Sequence, residues 1–280
     1  MLSLPSLSRL AALRAQVARL ERPSAASSSD AGPAPSAAAL RFGVPPIDRH
    51  LPAGGLARGA LHEVAGAGTE LEHGAAAALL IAGLLARAPG PVLWVLERAD
   101  LFAPGLAAVG LAPGRVIYAE AGRVEAVLAS LEEGLRHPGL LAGVAEVSGR
   151  LSLAATRRLH LAAEASGVTG FVLRRAWRGA AEATAGPGEP SAALTRWRVG
   201  ALPSPPPFAD APDVPGLGRA RWQLDLWRAR GVAPASFVVE ACDAKGRLRL
   251  VTVLADGSVA AEPDGSAGSG AGEPSRRAAG

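Results

Sequence analysis

Lysine occurs once in this chain of 280 residues, at Lys245, and cysteine once, at Cys242. A single cysteine excludes an internal disulfide and a cysteine-cluster metal centre, and it suits a reducing, cytoplasmic setting. No apolar run reaches the roughly 18 to 20 residues that cross a bilayer, so a soluble protein is expected. Nor is there the unbroken apolar block of a signal peptide, because Arg9, Arg14 and Arg19 interrupt the N-terminal segment. A Gly-x-Ser-x-Gly nucleophile elbow is missing. His50, His62, His137 and His160 are scattered, and His73 has no second ligand at metal spacing. Neither a metal, a cofactor nor a catalytic centre is expected.

Hydrophobic residues make up 49% of the chain, enough for one sizeable core, although much of that share is alanine. The basic residues other than Lys245 are all arginine, a bias expected of GC-rich coding. A net charge of +4 permits an anionic partner without implying one.

Residues 1–22 read as an amphipathic helix, with Leu7, Leu10, Leu13, Val17 and Leu20 three or four apart on one stripe. That stripe serves equally for packing on the core or docking on a partner. Residues 23–39, "PSAASSSDAGPAPSAAA", read as a flexible linker. A core over 40–258 follows, in which short apolar runs alternate with helical stretches. Strands are expected at Leu61–Ala65, Pro91–Glu97, Arg115–Glu120, Leu140–Val147 and Val168–Arg175, with helices between them. This rhythm predicts an α/β fold with a mostly parallel sheet covered on both faces. A mobile loop is expected at about 176–194, then a strand over Thr195–Leu202, a strand over Arg219–Arg230, and a C-terminal antiparallel hairpin turning near Lys245-Gly246. Residues 259–280 read as a disordered tail.

The segment "EVAGAGTELEHGAA" (Glu63–Ala76) has the layout of a phosphate-binding loop, with Gly66 and Gly68 turning out of a strand into an alanine-rich helix. Such a loop cradles phosphate on backbone N–H groups, uses a lysine for the β- and γ-phosphates and holds Mg²⁺ on a Ser or Thr hydroxyl. Here Leu71, Glu72 and His73 stand where Gly-Lys-Thr belongs. Exchanging a cation for Glu72 moves the local charge by two units, each worth at most about 4 kcal/mol at ~4 Å and an effective dielectric of ~20. Micromolar binding is worth only about 8 kcal/mol, so ATP binding is not expected.

The longer run "FGVPPIDRHLPAGGLARGALHEVAGAG" (Phe42–Gly68) resembles the entry to the ATPase core of RecA-type recombinases. Gly43, Ile47, Asp48, Leu51, Gly54, Gly55, Leu56, Gly59, Glu63 and Gly66 match that pattern in order. With its degenerate Walker A loop and Arg/Ala-rich body, the chain is similar to the ImuA family, the RecA-like members of the bacterial damage-induced mutagenesis cassette. The resemblance implies a RecA-like P-loop NTPase-type core. It puts Glu97 where the family's ATPase relatives orient water, and Glu146 near their magnesium-holding acid. Without the lysine and hydroxyl, both read better as solvated or paired acids at strand ends.

The resemblance also sets the functional expectations. Recombinases keep a flexible loop for single-stranded DNA in the region flanked here by Arg174, Arg175, Trp177, Arg178, Arg196, Trp197 and Arg198. Arginines on phosphates and tryptophans on bases would suit such a site, whereas a core Trp197 and a solvated arginine edge would need no DNA. Implied partners are the inactive Y-family-like polymerase subunit (ImuB-type), an error-prone DnaE-type polymerase, and RecA. The leading expectation is a non-catalytic accessory protein of SOS translesion synthesis, docking through the N-terminal stripe and Trp227. A SulA-like cell-division inhibitor and a divergent NTPase are the alternatives.

Overall fold

A computed structural model describes residues 39–175, 189–208, 210–211 and 213–254. It is built on a sheet in the order β11-β10-β9-β8-β3-β7-β6-β4-β5. The strands β3 (Leu61–Gly66), β4 (Val92–Leu96), β5 (Val116–Glu120), β6 (Ala142–Ser148), β7 (Thr169–Arg175) and β8 (Thr195–Leu202) run parallel. β9 (Arg221–Ala229), β10 (Ala235–Glu240) and β11 (Arg249–Leu254) extend them antiparallel. The expected mostly parallel sheet and C-terminal hairpin are thus both present. A small ribbon of β1 (Ala39–Leu40) and β2 (Leu56–Ala57) brackets α1 (Pro45–His50).

One face of the sheet carries α2 (Ala75–Ala86) and α3 (Ala103–Ala108), and the other carries α4 (Val124–Leu135) and α5 (Leu153–Ser166). Helix α2, "AAAALLIAGLLA", is apolar all round, which suits an element enclosed on most sides. It packs on Trp94, Phe171 and Trp197. Gly83 lets it close on Cys242, whose thiol pKa burial pushes up to about 12. On the other face Gly143 and Gly170 lie side by side in β6 and β7. Side chains there would collide with Leu131, Leu61 or Leu135, so the paired glycines set how closely α4 approaches. Helix α5 starts on Ser152, whose hydroxyl accepts from the N–H of Ala155 at 3.1 Å, and ends on left-handed Gly167.

Two boundaries differ from expectation. Ala39 belongs to β1 rather than to the linker. More telling, residues 189–194 are part of the core: Ser191 and Ala193 are buried, and Glu189 is ion-paired. The Gly/Pro composition around them hid an acid and a serine that the strands need. Residues 1–22, most of the linker, 176–188 and 259–280 lie outside the described residues.

Candidate functional site

The strand-to-helix connection after β3 leaves Gly66, is pinned by the Ala67 N–H to Val199 carbonyl bond of 2.9 Å, and winds a π-helical turn over Glu70–Gly74. Two amides that a phosphate loop would aim outward are turned back. The N–H groups of Glu72 and His73 donate to the Thr69 carbonyl at 3.3 and 3.0 Å. The cradle itself holds a side chain. His73 is buried, its Nδ1 accepts from the Ala201 N–H at 3.0 Å, and its ring lies against the glycines. A Cβ at Gly68 would sit 3.0 Å from His73 Cδ2, and one at Gly66 would sit 3.2 Å from His73 Cβ. The glycines here make room for an imidazole.

The start of α2 is filled as well. The Glu70 carboxylate folds back over Gly74, where any Cβ would collide with it, so the positive end of the helix faces an acid of the same chain. A cation arrives from β7. Arg175 Nε lies 2.5 Å from Glu70, its Nη1 bonds Glu146, and its Nη2 is 3.6 Å from Asp100. Glu146 is fully buried and also accepts from Trp94 Nε1 at 2.7 Å. Burial raises its pKa and the Arg175 guanidinium opposes that rise. Glu97 accepts from the Ser148 N–H at 2.7 Å and the Ser148 hydroxyl at 2.8 Å. Both strand-end acids are therefore structurally paired. A carboxylate and a guanidinium of the chain itself thus stand together at the start of α2.

Protein ImuA from Caulobacter vibrioides, in the strains NA1000 / CB15N and ATCC 19089 / CIP 103742 / CB 15, is 44% identical over 234 residues, covering 81% of this chain and 94% of that protein. This chain belongs to the ImuA family. No protein-family model matches it. The crystal structure of the RadB recombinase, 18% identical, aligns with a TM-score of 0.51 over 76% of this chain and 100% of that chain. The fold of this ImuA-family chain is thus RecA-like.

The arginines expected at DNA are used differently. Arg174 is only 3% exposed, donates to the Gly149 carbonyl, and sits 3.4 Å from Glu189. Arg196, equally buried, bonds Glu63 at 3.0 Å through Nε and the Glu189 carbonyl at 2.8 Å through Nη1. Glu63 also accepts from the Ser191 hydroxyl. Glu63, Arg174, Glu189 and Arg196 form a buried network with two charges of each sign. Trp197 is core, its ring 5.0 Å from Phe42. Arg175 is committed to acids that follow β3 and β4 and to Glu146 within β6. These four are removed from the set of free DNA ligands, because a residue already desolvated and paired has little left to offer a phosphate. The clue in the sequence was a charge inside each apolar strand run: Glu63 in "LHEVAG", Arg174 in "TGFVLRR" and Arg196 in "TRWRV".

Arg198 is half-buried, 3.8 Å from Asp225, and lies over Trp227 at 5.1 Å from the ring centroid. Trp227 falls on the face of β9 opposite Trp222, Leu224 and Leu226, as alternation required, and remains partly accessible. Trp177, Arg178, Leu7, Leu10, Leu13, Val17 and Leu20 lie outside the described residues. Among the described residues no His, Cys, Asp and Glu side chains gather as a metal site, and no helix is long and apolar enough to cross a membrane.

Proposed function

We propose that this ImuA-family chain is a non-catalytic, cytoplasmic accessory protein of damage-induced translesion synthesis, bridging the inactive Y-family-like polymerase subunit and an error-prone DnaE-type polymerase. The observation that carries the non-catalytic reading is the self-filled loop. His73 occupies the glycine cradle, and Glu70 with Arg175 occupies the helix end. Such a core serves as a shape for docking rather than as a nucleotide switch. RecA is a further partner. Single-stranded DNA is the lesser part of the proposal, because Arg174, Arg175, Arg196 and Trp197 are spent inside the fold.

Two measurements test this reading. A fluorescent ATP analogue is expected to show no saturable binding at micromolar concentration, and a micromolar Kd would restore the divergent NTPase as the better account. Affinity capture of the tagged full chain from DNA-damaged cells is expected to recover the polymerase subunits. Recovery of the division-ring protein in their place would favour the SulA-like alternative.

A further inference from the structure

Beside the filled loop, α2, α3 and the π-helical turn enclose an open cleft of about 320 Å³. Its walls are Ala75, Ala78, Leu79, Leu101 and Leu106, and its mouth carries two of the most exposed large apolar side chains of the described residues, Leu71 at 99% and Phe102 at 72%. The rim is acidic. Glu70 and Asp100 line the cleft against the single Arg175, and Glu72, exposed, stands next to Leu71. An apolar slot with carboxylates around it fits an apolar helix face edged with arginine. A second copy presenting the same surface would set acid against acid, so self-pairing through this cleft is disfavoured.

The chain contains a segment of the required chemistry. At about 100° per residue, the sequence sets Arg9 and Arg14 on opposite margins of the stripe formed by Leu7, Leu10, Leu13, Val17 and Leu20. Residues 23–38 join this segment to Ala39 at the start of β1. Sixteen residues rich in Ser, Ala, Gly and Pro correspond to a coil span of roughly 20–24 Å on average, a reach comparable with the roughly 17 Å radius of gyration of a core of this size. We infer that residues 3–21 dock in the cleft between α2 and α3 of the same molecule, with the leucine stripe against Leu71 and Phe102 and the arginines at the acidic rim.

The test uses the full chain with Cys242→Ala and paired cysteines. Leu10→Cys with Phe102→Cys, treated with a short bismaleimide, is expected to cross-link within one molecule about tenfold faster than Leu10→Cys with Leu217→Cys, because docking raises the local concentration. Leu217 is 86% exposed and does not line the cleft, so it serves as the control. Leu10→Cys with Leu71→Cys repeats the measurement at the other side of the mouth. Reversing charge with Arg9→Glu and Arg14→Glu is expected to bring the rate down toward the control. Equal rates at cleft and control, a rate indifferent to charge reversal, or cross-links only between copies would each overturn the inference. It does not depend on the polymerase reading, since the cross-link is scored on the isolated chain.

Discussion

Arg196→Ala is expected to lower the unfolding free energy by roughly 3–5 kcal/mol, the loss typical of leaving a buried charge without its partner. The arginine is almost fully enclosed and faces Glu63 across adjacent parallel strands, so its removal leaves the carboxylates of Glu63 and Glu189 to share the single cation Arg174. The Ser191 hydroxyl still donates to Glu63 but cannot neutralise it. For a chain of this size such a loss corresponds to a fall in Tm of about 10 °C. Replacing both partners, as Glu63→Leu with Arg196→Met, is expected to recover much of the loss, because the pair's desolvation cost disappears with it. Chemical denaturation of the three variants checks the point. A single mutant within about 1 kcal/mol of the parent would show that the network is wet and dispensable, in the range of an exposed pair.

Acid should weaken the fold through His62. This imidazole is fully buried in β3, and its hydrogen bonds fix both tautomer and charge. Nε2 lies 2.9 Å from the Ala57 carbonyl and so carries the proton, while Nδ1 accepts from the Thr195 hydroxyl at 2.8 Å. That hydroxyl in turn accepts from Trp197 Nε1 at 3.1 Å. A second imidazole proton would have to turn the Thr195 hydroxyl from donor to acceptor, and burial pushes the pKa down to about 4. The unfolded chain takes up a proton below about 6.5, whereas the native state does so only near 4. The histidine's contribution is therefore complete above pH 6.5, declines as pH falls, and is gone below 4. Its full size is on the order of 3 kcal/mol, of which about 2 is lost by pH 5. His62→Gln, compared with the parent at pH 7 and pH 5, is expected to flatten that decline. Identical pH slopes would rule out His62 as its source.

How much of this was legible beforehand differs between backbone and site. Leu153–Ser166 and Thr195–Leu202 end where the sequence pattern ends them, since Ser152 and Gly167 cap the helix and apolar alternation marks the strand. The missing lysine was equally plain. What replaced it was not, because Arg175 lies far along the chain from Glu70 and meets it only after β7 is inserted beside β3. The same long-range pairing hid Arg174 and Arg196. Charge next to a Gly/Pro-rich stretch reads as surface, and only the register of β3, β7 and β8 turns those side chains inward. Local pattern determines elements, whereas the partners of a buried charge are decided by topology.

The buried network has a consequence for how this family can change. Arg174 and Arg175 precede segment 176–188, Glu189 and Ser191 follow it, and each of these four is held by a partner among the described residues. With both ends fastened, doubling the intervening span costs the fold only about 0.6 kcal/mol. A change in the number of residues between Arg175 and Glu189 is therefore expected to leave these four anchors in place.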